Sequence, residues 1–162
     1  MIHLYFEFDQ YIINLKMLKD RNQFLDPDNL AKDLGISSAQ WSLFGVVWDS
    51  GVVLAHAILN TDIKDIKILE VGCGIALASH LLSARGADIT ATDYHPEVEN
   101  FLKENILLNE GVEIPFVLED WNTENSKLGK YDLIIGSDLL YEAEHIELLS
   151  TFLENHSKTK TE

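Results

Sequence analysis

A strand, a glycine turn and a helix follow one another without interruption over residues 68–79, and this succession constrains the fold more than any other stretch. The run Ile-Leu-Glu-Val is short and apolar, as buried strands are, and it leads into Gly72-Cys73-Gly74. An apolar helical pattern resumes at Ala76. Such a turn surrounds a negatively charged ligand group with backbone N–H groups and the positive end of a helix. The stretch therefore predicts a ligand-binding α/β core, and a tight turn without a ligand is the alternative.

The dinucleotide-binding fingerprint Gly-x-Gly-x-x-Gly fits this turn at two positions only, because Leu77 stands at its third glycine. A nucleotide-dependent oxidoreductase is therefore disfavoured. Asp93 ends the next predicted strand, 19 residues after Gly74. A carboxylate at that place can accept both hydroxyls of a ribose. A cap for the helix that Pro96 opens is the alternative role for Asp93.

Length and charge narrow the function classes. The 162 residues suffice for one domain with its own core, and the net charge of −15 argues against nucleic acid as a partner. The negative electrostatic potential of such a protein suits a basic or neutral substrate. The alternative, that the acidic residues serve only solubility, is at least as well supported. Cys73 is the single cysteine, which excludes an internal disulfide, and a buried spectator thiol is favoured over a nucleophile. The six histidines lack metal-ligand spacing, so no metal site is expected.

Targeting signals are not visible in the sequence. No apolar run approaches the length of a membrane span, and the first residues lack a basic region followed by an apolar one. A cytoplasmic location without a membrane partner is the resulting expectation.

Residue patterns divide the chain into an N-terminal part, residues 1–40, and a core, residues 41–162. Residues 4–8 and 13–17 alternate between apolar and polar side chains and predict a β-hairpin. Residues 36–41 are interpreted as a connector. The core alternates helices and strands, with strands predicted at residues 66–71, 88–93, 113–118 and 131–137 and helices at 51–59, 76–85, 96–110 and 142–155.

This alternation predicts a Rossmann-like, doubly wound, mainly parallel sheet. In such sheets ligands bind beyond the carboxyl ends of the strands. The candidate binding and catalytic residues all fall at those ends: Glu70, Gly72, Gly74, Asp93, Asp120, Trp121, Ser137, Asp138 and Tyr141.

Several side chains have a predicted environment. The helix at residues 51–59 is dense enough in apolar residues to be buried. His95 is interpreted as a surface turn residue rather than a ribose contact. Two nearby tryptophans, Trp41 and Trp48, favour packing, with a flat surface beside a ligand as the alternative. The last helix is expected to turn four apolar residues inward: Ile146, Leu149, Phe152 and Leu153.

Five segments carry a resemblance to a known family. They are residues 44–51, 69–74, 91–96, 120–121 and 137–141, in this order. Together they resemble the seven-β-strand methyltransferases that use S-adenosylmethionine, in particular the lysine-methyltransferase-like group. The chain is also similar to the bacterial relatives described as predicted nicotinamide N-methyltransferases. The turn fits that family's pattern acid-x-Gly-x-Gly-x-Gly except at its last glycine, where Ala76 stands.

The resemblance implies a role for each matched residue. Glu70, Gly72 and Gly74 would line the methionine part of S-adenosylmethionine, and Asp93 would hold its ribose. The remaining cofactor contacts would come from Trp48, Asp120, Trp121 and Ser137. Asp138 and Tyr141, which match the family's Asp-x-x-Tyr motif, would face the substrate amine as catalytic residues.

The implied reaction is methyl transfer from S-adenosylmethionine to nitrogen, with S-adenosylhomocysteine as product. A protein lysine and a small-molecule amine or pyridine are both open as substrates. The family's sheet has seven strands, whereas four are predicted here, so the sheet would lack its last strands. The fourth strand would then be an exposed apolar edge through which copies of the chain could associate. A non-catalytic module that binds cofactor or a partner is the alternative function.

Overall fold

The computed structural model describes residues 1–22, 29–140 and 145–159. Its first element is the predicted hairpin, in which strand β1 (Ile2–Phe8) pairs with β2 (Tyr11–Met17) in antiparallel fashion. Phe8 lies opposite Tyr11 across the turn, and Ile2 lies opposite Met17. The hairpin prediction is thus confirmed.

The described residues form a second, parallel sheet of four strands in the order β5-β4-β3-β6. The strands are β3 (Lys67–Val71), β4 (Asp88–Asp93), β5 (Phe116–Leu118) and β6 (Leu133–Ile135). The chain runs from β3 outward to β4 and β5 and then returns to the other side of β3. This reversal between β3 and β6 is the switch point at which ligands bind in sheets of this type. The predicted fold class is confirmed.

Helices cover both faces of this sheet. Two short ones precede the core, α1 (Leu30–Asp33) and α2 (Ser38–Trp41), and a 3₁₀ turn follows (Ser42–Gly45). The longer ones are α3 (Asp49–Ile58), α4 (Leu77–Ala84), α5 (Val98–Leu108) and α6 (His145–His156). The strand β3 faces two apolar clusters, because Ile68 packs into one and Leu69 and Val71 into the other.

The hairpin is part of the larger cluster rather than an appendage. Leu15 of β2 is fully buried there together with Leu81 of α4 and Leu102 of α5. Asn105 of α5 and Asn109, the residue that caps its C-terminus, also bond to the backbone of β2. Asn105 accepts from the N–H of Lys16 at 2.7 Å and donates to its carbonyl at 3.1 Å. Asn109 makes the same pair of bonds with Asn14, both at 2.8 Å, so these two amides replace a neighbouring strand along one edge of β2.

Some local predictions are wrong. The helix at residues 51–59 is not buried all round, because α3 buries Ala55 and Ile58 while Val53 is 67% exposed. The connector contains α2, which Ser37 caps while Gln40 bonds back to it. Ile146 does not turn inward with Leu149, since it is 60% exposed. The errors in α3 and α6 concern which face of an amphipathic helix meets the core, and neighbours distant in sequence decide that. The helix in the connector is set locally, by its capping residues Ser37 and Gln40.

One segment of the described chain is long and apolar enough to cross a membrane by length and composition, Ser38–Ile58. This differs from the expectation that no run approaches that length. The segment is not one uninterrupted helix, because Val46 and Trp48 are extended and separate the 3₁₀ turn from α3. Its short helices instead bury side chains within the protein, among them Trp41, Phe44 and Ala55.

Candidate active site

The residues that follow the four parallel strands line one cavity of about 980 Å³. Glu70, Gly72 and Gly74 lie at the end of β3, and Asp93 ends β4. Asp120 and Trp121 follow β5, and Ser137 and Asp138 follow β6. Trp48 lies in the same lining, before α3. The volume is in the upper range for small-molecule sites, so the predicted residues are brought together around a space that fits a nucleoside-sized ligand.

The glycine turn adopts the left-handed backbone that its sequence indicates. Gly72 has φ 58° and Gly74 has φ 51°. A side chain at Gly74 would also lie 3.0 Å from the carbonyl of Phe44, so the turn and the 3₁₀ segment touch. Ala76 has φ 59° at the start of α4, a conformation that costs a residue other than glycine roughly 1–2 kcal/mol. The glycine that this position holds in the resembling family would adopt it without that cost.

Asp93 fixes this turn from the neighbouring strand. One carboxylate oxygen accepts from the N–H of Gly74 at 2.9 Å, and the other accepts from the N–H of His95 at 2.9 Å. Burial raises the pKa of Asp93 above its ordinary value, and these backbone bonds oppose the shift. Each carboxylate oxygen accepts more than one hydrogen bond, so Asp93 retains acceptor capacity toward the cavity that it lines.

The Glu70 carboxylate is hydrogen-bonded within the protein, to Ser79. Its Oε2 accepts from the N–H of Ser79 at 2.8 Å and also from the Ser79 hydroxyl. Burial raises the pKa of Glu70 to about 7 although both bonds from Ser79 favour the charged form. The carboxylate therefore ties β3 to the first turn of α4 and holds the shape of the glycine turn.

We expect Glu70→Gln to change the pH dependence of stability. Because the folded pKa of about 7 lies above the ordinary 4.5, the wild type loses stability as pH rises through that interval. The amide does not titrate. The free energy of unfolding of Glu70→Gln, relative to wild type, should therefore rise by about 2 kcal/mol between about pH 5.5 and about pH 8. Urea titrations at both pH values measure it. Glu113→Gln, at an exposed position, is the matched control. If the free energy of unfolding of Glu70→Gln and that of the wild type change equally with pH, the raised pKa of Glu70 is contradicted.

Two residues that follow β6 meet the start of α3 at the cavity. The hydroxyl of Ser50 donates to Asp138 Oδ2, and the Ser137 hydroxyl lies close to Gly51. Asp138 is exposed and has φ 53°. The Asp138 carboxylate is thus held across the cavity mouth by Ser50. Tyr141, the other predicted catalytic residue, lies outside the described residues.

Trp48 belongs to the cavity lining, and two neighbours fix its ring. Its indole N–H donates to the carbonyl of Leu43 at 3.1 Å. The guanidinium of Arg21 lies 5.1 Å from the ring centre, which is cation–π distance. Trp41, by contrast, is buried and packs against His95 at 4.4 Å between ring centres. Trp41 thus has the packing environment, while Trp48 lies in the cavity lining, where a ligand contact stays a prediction.

The tip of β5 carries two consecutive acids in opposite environments. Asp120 is exposed, and its Oδ1 accepts from the N–H of Asn122 at 2.9 Å within its own turn. Glu119 is buried and also lines the cavity. Its Oε2 accepts from the N–H of Lys127 at 3.2 Å. Trp121 follows, edge-on to the His145 ring at 5.2 Å.

Leu139 lies against the glycine turn. A side-chain carbon added at Gly72 would lie 2.5 Å from Leu139 Cδ2, so glycine leaves the room that this leucine uses. The Nδ1–H of His145 donates to the carbonyl of Leu139 at 3.0 Å, which links the leucine to α6. The segment after β6 thereby closes one side of the cavity.

One functional assignment from the sequence needs revision, and two residues were missed. His95 is not a surface turn residue, because it is buried and stacks on Phe44 at 3.9 Å between ring centres. Sequence reasoning also missed Glu119 and Ser50. Two adjacent acids at a strand tip were visible, but the pattern did not indicate which one is buried. The bond from Ser50 to Asp138 joins residues 88 positions apart, and no local pattern carries it.

The sequence model of the lysine methyltransferase family matches residues 31–162. The chain belongs to the lysine methyltransferase family. All four strand tips and the cavity that they line fall inside the matched range.

Curated relatives agree with this assignment. The protein N-lysine methyltransferase METTL21A of Danio rerio is 32% identical over 135 residues, which are 76% of this chain and 62% of that protein. The histidine protein methyltransferase 1 homolog of Dictyostelium discoideum is 28% identical over 85% of this chain and 45% of that protein. This lysine methyltransferase family member thus spans about half to three fifths of the length of these relatives.

Solved structures share the fold. The ribosomal protein L11 methylase of Lactobacillus delbrueckii subsp. bulgaricus has a TM-score of 0.59 at 24% identity, over 72% of this chain and 58% of that chain. The 16S rRNA methyltransferase RsmC of T. Thermophilus has a TM-score of 0.67 at 11% identity, over 97% of this chain and 39% of that chain. At these low sequence identities, the two structures show that this chain shares their fold and nothing further about its function.

Proposed function

We propose that the protein is a methyltransferase that uses S-adenosylmethionine and acts on a nitrogen atom of a protein lysine. The observation that carries this proposal is the convergence of four strand tips on one cavity, with a left-handed glycine turn on one side and Asp93 on the other. Membership of the lysine methyltransferase family supports both the cofactor class and the substrate class.

The residues present fit the proposed cofactor. Gly72 and Gly74 keep the turn free of side chains, and Asp93 has acceptor capacity for ribose hydroxyls. Trp48 offers a flat face in the lining. Glu119 keeps a buried carboxylate oxygen for which the described residues supply no donor. When bound, S-adenosylmethionine would supply a methyl group on a sulfonium: the carbon–sulfur bond would break as a neutral amine nitrogen bonds the carbon, S-adenosylhomocysteine would leave, and the amine proton would pass to solvent.

The work of the protein in this reaction is alignment. Asp138, held by Ser50 at the cavity mouth, is proposed to accept a hydrogen bond from the substrate amine and to orient its lone pair. Tyr141 is proposed as its partner, on the family motif. Correct alignment of two reactants accounts for up to roughly 7–11 kcal/mol of a barrier in favourable cases.

A lysine side chain suits the electrostatics of this protein. The net charge of −15 attracts a cationic substrate, and the exposed carboxylate of Asp138 lies where its amine would enter. The METTL21A relative is named for lysine, and the Dictyostelium relative is named for histidine, so both act on nitrogen in proteins. A small-molecule pyridine such as nicotinamide is the competing substrate.

Calorimetry and a methyl-transfer assay test the proposal. We expect the purified chain to bind S-adenosylhomocysteine and not NAD, and to transfer labelled methyl groups to lysine-containing proteins. Replacement of lysine by arginine in the labelled protein should abolish the incorporation. Binding without transfer to any lysine or nicotinamide substrate would contradict the activity and favour a non-catalytic module. Failure to bind the nucleoside would contradict the cofactor.

A further inference from the structure

We propose that Glu119 recognises the amino group of the adenine base and makes the site selective for it. This inference rests on the proposed function, because it assigns one contact within the proposed cofactor site. It begins with the backbone: the N–H of Glu119 donates to the carbonyl of Asp93 at 3.0 Å. Pairing between β5 and β4 thus continues past the last strand residue and brings Glu119 beside the ribose-binding carboxylate.

The Glu119 carboxylate has one oxygen that is available to accept a hydrogen bond from a ligand. The residue is 7% exposed, and one of its oxygens is bound by the N–H of Lys127. The other oxygen, Oε1, is buried, and among the residues that the structure describes no donor bonds to it. A buried acceptor without a donor is costly, which makes such an oxygen in the lining of a cavity a strong candidate for a ligand contact.

Strand order tells which part of the cofactor reaches Glu119. The turn after β3 suits the charged methionine part, and Asp93 after β4 suits the ribose. Because β5 is the outer neighbour of β4, the base comes next, at the tip of β5. The amino group of adenine is a hydrogen-bond donor, and a carboxylate oxygen is its natural acceptor.

Asp120 is the rival for this contact, since it follows Glu119 directly and the family resemblance favours it. Its carboxylate is exposed and already caps its own turn through Asn122. An exposed carboxylate is solvated by water whether or not a ligand is bound. Loss of its ligand contact is therefore less costly than loss of the contact at Glu119.

The test compares S-adenosylhomocysteine with its purine analogue, in which hydrogen replaces the amino group. Calorimetry on the wild-type chain should show a preference of about 10- to 100-fold for the amine, the discrimination expected of a buried charged acceptor. In Glu119→Gln this preference should fall to within about twofold, because the amide can bond Lys127 through oxygen and then presents a donor to the amine. Glu113→Gln, at an exposed position, should keep the wild-type preference.

The outcomes separate this assignment from the proposed function. A wild type that binds both nucleosides equally overturns the role of Glu119 and leaves the cofactor site standing, and this result needs no variant. A preference that survives in folded Glu119→Gln, or that disappears in Asp120→Asn instead, also overturns it. A wild type that binds neither nucleoside overturns the cofactor site and this inference with it. Thermal unfolding of each variant shows that it is folded at the assay temperature.

Discussion

Asp93→Ala should lower the affinity for S-adenosylhomocysteine by at least about tenfold, or about 1.4 kcal/mol. The carboxylate contributes twice to the proposed site. It offers acceptors to the ribose, and it holds the glycine turn through the N–H of Gly74 and the following turn through the N–H of His95. Alanine leaves these two donors without their charged acceptor, so the free energy of unfolding should also fall by about 2 kcal/mol. Calorimetry measures the first effect and urea denaturation the second.

Two further variants separate the contributions of Asp93. Asp88→Ala removes an exposed carboxylate from the start of the same strand and should change both quantities by less than about 0.5 kcal/mol. Asp93→Asn keeps one oxygen acceptor and should fall between wild type and Asp93→Ala in both measurements. An affinity that Asp93→Ala leaves unchanged would remove this residue from the proposed site.

Local patterns were sufficient wherever one contiguous segment determines its own structure. The apolar run before Gly72 predicted β3, and the alternation around Phe6 and Leu15 predicted the hairpin. The position of a residue just after a strand then predicted which side chains meet, because parallel strands end at the same edge of their sheet. The cavity therefore followed from the sequence, and so did the residues that line it from β3, β4 and β6.

Contacts between distant segments were outside the reach of such patterns. His95 is adjacent to Asp93 and was expected at the surface, yet Trp41 and Phe44 enclose it from a segment about fifty residues earlier. Glu119 and Asp120 are both acids at the same strand tip, and the sequence does not indicate that the first is buried and bonded by the N–H of Lys127. Burial of a polar side chain depends on what the rest of the chain places over it, and composition does not contain that information.

The bonds between Asn105 and the hairpin are another contact that no local pattern predicts, and Asn105→Ala should reveal their contribution to stability. Asn105 is fully buried, and its amide satisfies both the N–H and the carbonyl of Lys16, 89 residues away in sequence. Alanine leaves both backbone groups buried without a partner and also leaves a void. We expect the free energy of unfolding to fall by about 3 kcal/mol, which urea denaturation measures directly.

Asn100 provides the control for this effect, because it is the same residue type on the same helix but is exposed, and its side chain donates to the nearby Glu97 side chain at 3.3 Å. Asn100→Ala should change the free energy of unfolding by less than about 0.5 kcal/mol. Asn109→Ala should lie between the two, since Asn109 makes the same two bonds to Asn14 near the helix end. If Asn105→Ala and Asn100→Ala prove equally stable, the amide pairing does not hold the hairpin on the core. The apolar contacts of Leu15 would then have to account for its attachment.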